Sequence, residues 1–129
     1  MNEKIESLYP KIGQLFFEQL PDDFDEAWLK TEMIDDVWST EAFFLDTKGK
    51  TRYKDSDLDD LEILLSDMRN TFKEEGVPPF SNATFWLTPD GRFSIDFGYE
   101  DVSDFGLAGK RRGEWMKKYL KPDSDIVWF

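Results

Sequence analysis

The sequence predicts an α+β fold: an antiparallel sheet of two hairpins, four to five strands in all, packed by helices mainly on one face. Two observations carry this expectation. Apolar residues recur every three to four positions near the start, in the middle and towards the end of the chain, and alternate strictly in two stretches between. Turn-forming residues interrupt both alternating stretches, at Asp35-Asp36 and at Pro89-Asp90-Gly91. A chain of 129 residues, 40% hydrophobic and 16% aromatic, can bury a single core. Nothing in it reads as a linker, repeat or low-complexity tract, so residues 1–129 are expected to form one domain.

The first element reads as a helix from residue 2 to about 20, with Ile5, Leu8, Ile12, Leu15, Phe16 and Leu20 on one stripe. Pro10 strains it, because proline inside a helix loses a hydrogen bond and clashes with the preceding turn, at about 3 kcal/mol. Either Ser7 caps the helix and puts Pro10 in the first turn, or the helix kinks there; a kink is expected. Pro21-Asp22-Asp23 ends the helix.

From Asp25 the period becomes two. Ala27, Leu29, Thr31 and Met33 alternate with Trp28, Lys30, Glu32 and Ile34, Asp35-Asp36 turns the chain, and a second strand runs from Val37 to about Leu45. Thr51 to Lys54 reads as a short edge strand whose lysines discourage further pairing.

Leu58, Leu61, Leu65, Met68 and Phe72 mark one face of the clearest helix. Ser56 and Asp59 match a capping box, Gly76 stands where a left-handed residue closes a helix, and Pro78-Pro79 blocks continuation. The hairpin from Thr84 to Asp101 organises the rest. Phe85 and Leu87, then Phe93, Ile95, Phe97 and Tyr99, make an aromatic face that should lie against helices, with Asp96 on the other face and an acidic corner at Glu100-Asp101. Lys110 to Leu120 reads as a last helix with Trp115, and the apolar tail Ile126 to Phe129 should pack back onto the body or offer a sticky surface.

Composition excludes several chemistries. The chain has no histidine and no cysteine, which removes the usual general base, the serine–histidine triad, disulfides and thiolate or histidine zinc sites. A net charge of −12 disfavours nucleic acid and anionic membrane as direct partners and favours salt-sensitive association with a basic protein. The first residues lack the pattern of a signal peptide and no apolar run is long enough to span a bilayer, so a cytoplasmic location is expected.

Asp55, Asp57 and Asp59 resemble the opening of a calcium loop only superficially, since Asp60 and Ser66 stand where its glycine and bidentate glutamate should be. Asp96, Glu100 and Asp101 could serve a small metal-dependent carboxylate enzyme, but pairing with Arg111 or Arg112, fixing the last helix on the hairpin, is the preferred reading. A different surface is the acidic run Asp22, Asp23, Asp25, Glu26, Glu32, Asp35, Asp36 and Glu41, with Trp28 and Trp38 among the charges. Aromatic anchors inside a charged rim suit a protein interface.

The segment Phe93 to Asp101, the run Lys110 to Trp115 and Lys118-Tyr119-Leu120 resemble the C-terminal signature of the YezG-like immunity proteins of bacteria. The lead-in Asn82 to Leu87, the helix ending Lys73-Glu74-Glu75-Gly76 and the run Leu20 to Phe24 also resemble that family, so the likeness covers nearly the whole chain. Asp96, Tyr99, Glu100, Asp101, Arg111, Arg112 and Trp115 form its most specific part. Pro10, Gly98 and Gly113 depart from the expected pattern. The resemblance implies a non-catalytic antitoxin, needing no metal or cofactor, that binds and neutralises a cognate secreted toxin, a nuclease being the toxin class it points to. A homo-oligomeric adaptor joined through the tail is the remaining alternative.

Overall fold

The computed structural model describes residues 3–34, 37–54, 58–120 and 126–128. Helix α1 (Glu3–Gln19) leads into strands β1 (Phe24–Ile34), β2 (Val37–Asp46) and β3 (Thr51–Lys54), then helix α2 (Asp59–Glu74). Strands β4 (Asn82–Leu87) and β5 (Phe93–Gly98) follow, and a 3-10 turn (Phe105–Leu107) opens helix α3 (Ala108–Tyr119) before the last strand, β6 (Ile126–Val127). The strands form one sheet in the order β5-β4-β1-β2-β3-β6. This is the expected α+β class with one more strand, and a mixed sheet, because β6 pairs parallel to β3.

Local signals account for most boundaries. The amide of Val77 donates to Phe72 O at 2.8 Å and that of Gly76 to Lys73 O at 3.2 Å, with Gly76 at φ +72°, a Schellman closure of α2. At its other end Leu58 occupies the N-cap without a side-chain hydrogen bond; the expected cap, Ser56, lies outside the described residues. Helix α1 starts at Glu3, so Ser7 lies within it, donating to Lys4 O at 2.8 Å instead of capping. Pro10 also lies inside α1, where its ring nitrogen has no hydrogen to give the preceding turn. The β4–β5 turn uses Gly91 at φ +86° as expected.

Alternation along β1 then sorts the molecule into layers. Ala27, Leu29 and Met33 face α1 and α2 and join Ile5, Ile12, Phe16, Leu61, Leu65 and Met68 in the main core. Phe85, Ile95 and Phe97 lie on the same face, as the aromatic side of the second hairpin requires. Trp28 points the other way, into a smaller cluster with Phe43, Leu45, Trp115 and Leu120 under α3. Helices therefore cover both faces, two on one side and the third on the other. The tail folds back: β6 runs beside β3, and the Trp128 ring packs at a tilt against Tyr53 with centroids 5.2 Å apart. The lysine-bearing strand β3 is consequently not an edge, since its outer side takes a parallel partner.

Candidate partner-binding site

Two arginines of α3 hold that helix to the sheet. Arg111 Nε donates to Glu32 Oε2 at 2.8 Å, and its Nη1 and Nη2 reach the carbonyls of Asp104 (2.9 Å) and Val102 (3.3 Å). One turn shares the work: Arg112 pairs with Glu41, and Glu41 also faces Lys30 at 3.9 Å. The Arg112 guanidinium covers the Trp128 ring at 4.6 Å, tying the tail into the same group. Trp115 closes the layer, its indole N–H donating to Thr84 Oγ1 at 2.8 Å. Lys30 is only 6% exposed, so its pairing with Glu41 offsets the cost of burying an ammonium.

This network corrects the expected pairing. The arginines grip Glu32 and Glu41 of the first hairpin, not Asp96 or the Glu100-Asp101 corner. The reason is topological: β1 and β2 lie centrally under α3, whereas β5 is at the sheet's edge. Asp96 instead accepts from the Tyr119 hydroxyl at 2.9 Å. Asp101 accepts from the amide of Ser103 at 2.8 Å, and bonds from Ser103 hold its carboxyl below the usual range. Backbone hydrogen bonding does the same for Glu100, with Asn82 adding to it. The three carboxylates therefore serve separate partners. Among the described residues no group of three or more acidic side chains could hold a metal ion.

A cleft of about 280 Å³ between the sheet and α3 is lined by Lys30, Thr84, Glu100, Arg111, Trp115 and Tyr119. Its charged groups include both members of the Arg111–Glu32 pair, so the cleft is built largely from groups already engaged with one another. A shallower hollow, about 490 Å³, opens beside Arg112, Tyr53 and Trp38.

The acidic run divides three ways. Asp22, Asp23 and Asp25 are exposed at the α1–β1 junction, and Glu26 is half-buried beside them. Asp35 and Asp36 lie outside the described residues. Glu32 and Glu41 are taken up by the arginines, Trp28 is 3% exposed beneath α3, and Trp38 packs half-buried against the main core. Trp28 and the two glutamates thus belong to the interior layer instead of the expected docking surface. Phe17, which the sequence does not single out, is exposed, and Phe93 and Tyr99, expected on a helix-covered face, are exposed as well. Phe17 had left a signal: it stands off the apolar stripe of its helix.

The description "immunity protein YezG-like" belongs to the family model that matches residues 49–125, from the turn before β3 through α3. The chain belongs to the YezG-like family of immunity proteins. This member is 29% identical to immunity protein YezG of Bacillus spizizenii, over 91% of its own length and 83% of that relative's. A shorter match, 30% identical over 51% of the chain and 42% of the relative, is to the type VII secretion system protein EsaG of Staphylococcus aureus. Arg111, Arg112 and Trp115 of α3 fall within the matched region of this YezG-like chain, whereas Glu32 and Glu41, the carboxylates the arginines hold, lie before it. No helix among the described residues is long and apolar enough to cross a membrane.

Proposed function

We propose that this immunity protein neutralises a cognate secreted toxin, a nuclease domain, by binding it through an acidic surface, without catalysis and without a cofactor. The observation that carries the reading is the partition of charge. Lys30, Arg111 and Arg112 are consumed internally by Glu32 and Glu41, while Asp22, Asp23 and Asp25 stand exposed with no ion-pair partner among the described residues. Much of the −12 net charge is thereby left facing outward. A domain that grips phosphates presents cations, and a compact acidic protein complements them. The relative described by its place in type VII secretion supports a secreted partner.

The test uses the purified toxin domain encoded beside this chain. Stoichiometric protein should stop its degradation of nucleic acid, and the triple change D22K/D23K/D25K should slow association at least tenfold at low salt, an effect that fades as salt rises. A toxin domain that leaves DNA and RNA intact removes the nuclease part of the reading. Unchanged rates and an unchanged salt slope in the triple variant remove the acidic surface.

A further inference from the structure

We infer that the toxin docks on the outer edge of β5, adding a basic strand beside the aromatic strip that β5 and α1 leave open. The inference rests on the toxin-binding reading above and assigns it a surface. Among the described residues β5 has one sheet neighbour, β4, and its other side is unpaired. The amide of Thr88 donates to Arg92 O at 2.9 Å, which fixes the phase of the β4–β5 ladder. In an antiparallel pair the bonded positions alternate, so Phe93, Ile95 and Phe97 turn their N–H and C=O groups away from β4.

Exposed edges are ordinarily blunted by lysine, proline, a bulge or a covering segment. Between Phe93 and Gly98 there is no lysine or proline, and the register with β4 runs without a shift. The one charge, Asp96, is engaged by Tyr119. The opposite side of the sheet differs, for there the tail strand β6 covers β3.

Aromatic rings gather along this undefended edge. Phe93 and Phe17 are each 39% exposed and Tyr99 57%, whereas the other exposed large apolar residues among those described, Ile63, Leu107 and Trp128, are scattered over separate elements. The Phe93 ring lies against Gly13 of α1, Phe17 stands one turn further along that helix and packs edge-on to Phe24, and Tyr9, one turn before Gly13, has its hydroxyl held above the usual ionisation range by burial first, then by Glu6, then by Tyr99. At Gly13 and Phe93 the helix face meets the strand edge, so exposed rings flank unpaired backbone, the arrangement that strand addition uses: backbone bonds for affinity, side-chain contacts for selectivity.

Charge selects the occupant. Asp22, Asp23 and Asp25 follow Phe17 at one end of the strip, and Glu100 and Asp101 follow Tyr99 at the other. A second copy pairing antiparallel through β5 would bring acidic end against acidic end. A strand flanked by lysine or arginine meets complementary charge at both.

The experiment measures binding of the full chain to the toxin domain encoded beside it, in a catalytically inactivated form. Phe93→Ala and Tyr99→Ala should each weaken the Kd by about tenfold or more, as anchors do, and Ile63→Ala on α2 should stay within about twofold. Thermal melts of the free variants check folding. By hydrogen exchange, independent of any variant, the amides of Phe93, Ile95 and Phe97 should gain protection on binding. If the wild-type complex forms while these amides and both affinities stay unchanged, the edge is the wrong surface and the toxin-binding reading stands. If the wild-type chain binds no toxin domain, that reading itself falls, and the edge assignment with it. Concentration-dependent protection of these amides in the free protein would assign the edge to a second copy and overturn the inference.

Discussion

Arg111 and Glu32 stand 79 positions apart in the chain and meet through two hydrogen bonds, Nε to Oε2 at 2.8 Å and Nη2 to Oε1 at 3.3 Å. The fork joins the last helix to the first strand, and the same guanidinium also holds the loop carbonyls of Val102 and Asp104. Both side chains are about 15% exposed (16% and 14%), so neither charge is well solvated without the other.

Removing one partner alone should therefore be costly. Arg111→Met is expected to destabilise the fold by about 2–3 kcal/mol, below the range for fully buried pairs because some water still reaches this one. The double change R111M/E32L should lose clearly less than the sum of its parts, since it leaves no orphan charge. Urea unfolding of the four proteins measures the coupling. Strict additivity would mean that the pair contributes nothing as a pair.

Gly98 departs from the pattern expected of the family for a reason visible across the ladder. It sits opposite Asn82, and a Cβ on Gly98 would lie 2.7 Å from Asn82 Cγ. Gly98→Ala should cost about 1–3 kcal/mol through overpacking, and N82A should relieve much of it by clearing the space. The melting temperatures of the two single variants and the double variant decide the matter; an undisturbed Gly98→Ala protein would show that Asn82 simply swings aside.

Asp46 links stability to acid. The Lys50 amide leads in holding its carboxyl below the usual range, joined by Arg52 and the Lys48 amide. A folded pKa lowered beneath the unfolded value contributes stability that is present above about pH 4 and lost as pH falls through the folded pKa. Asp46→Asn should accordingly lower the urea midpoint near neutrality, and its difference from the wild type should shrink on acidification. A pH-independent difference would trace the effect to packing in the turn.

Trp128 anchors the tail. Its ring meets Phe43 at 6.1 Å and Tyr53 at 5.2 Å and lies under the Arg112 guanidinium. Trp128→Ala should destabilise by about 1–2 kcal/mol, since the ring is still 38% exposed. It should also increase hydrogen exchange in β3. Light scattering on the same variant addresses the adaptor alternative: a tail that joins copies would show a fall in mass with no loss of stability.

Much of the fold was legible because its signals are local. The turn glycines Gly76 and Gly91, the apolar face of α2 and the alternation along β1, β4 and β5 each depend on residues a few positions apart. The candidate site was less legible. Trp28 and Trp38 looked alike as aromatics among carboxylates, yet one lies under α3 and the other packs against the main core. Tyr99 read as the end of a covered aromatic face because the alternation of β5 carried through it; the strand stops at Gly98 and leaves the ring outside.

The amino-acid order by itself determined the three helices, strands β1 to β5, the two hairpins, the excess of negative charge and the family likeness, for these rest on periodicity, turn chemistry and composition. Only the tertiary structure decided which carboxylates Arg111 and Arg112 would find, that the tail would close β3, and that β5 would keep an open edge. Those outcomes depend on strand order and on which face the third helix covers. Both are set by contacts between residues distant in sequence, and no local period records them.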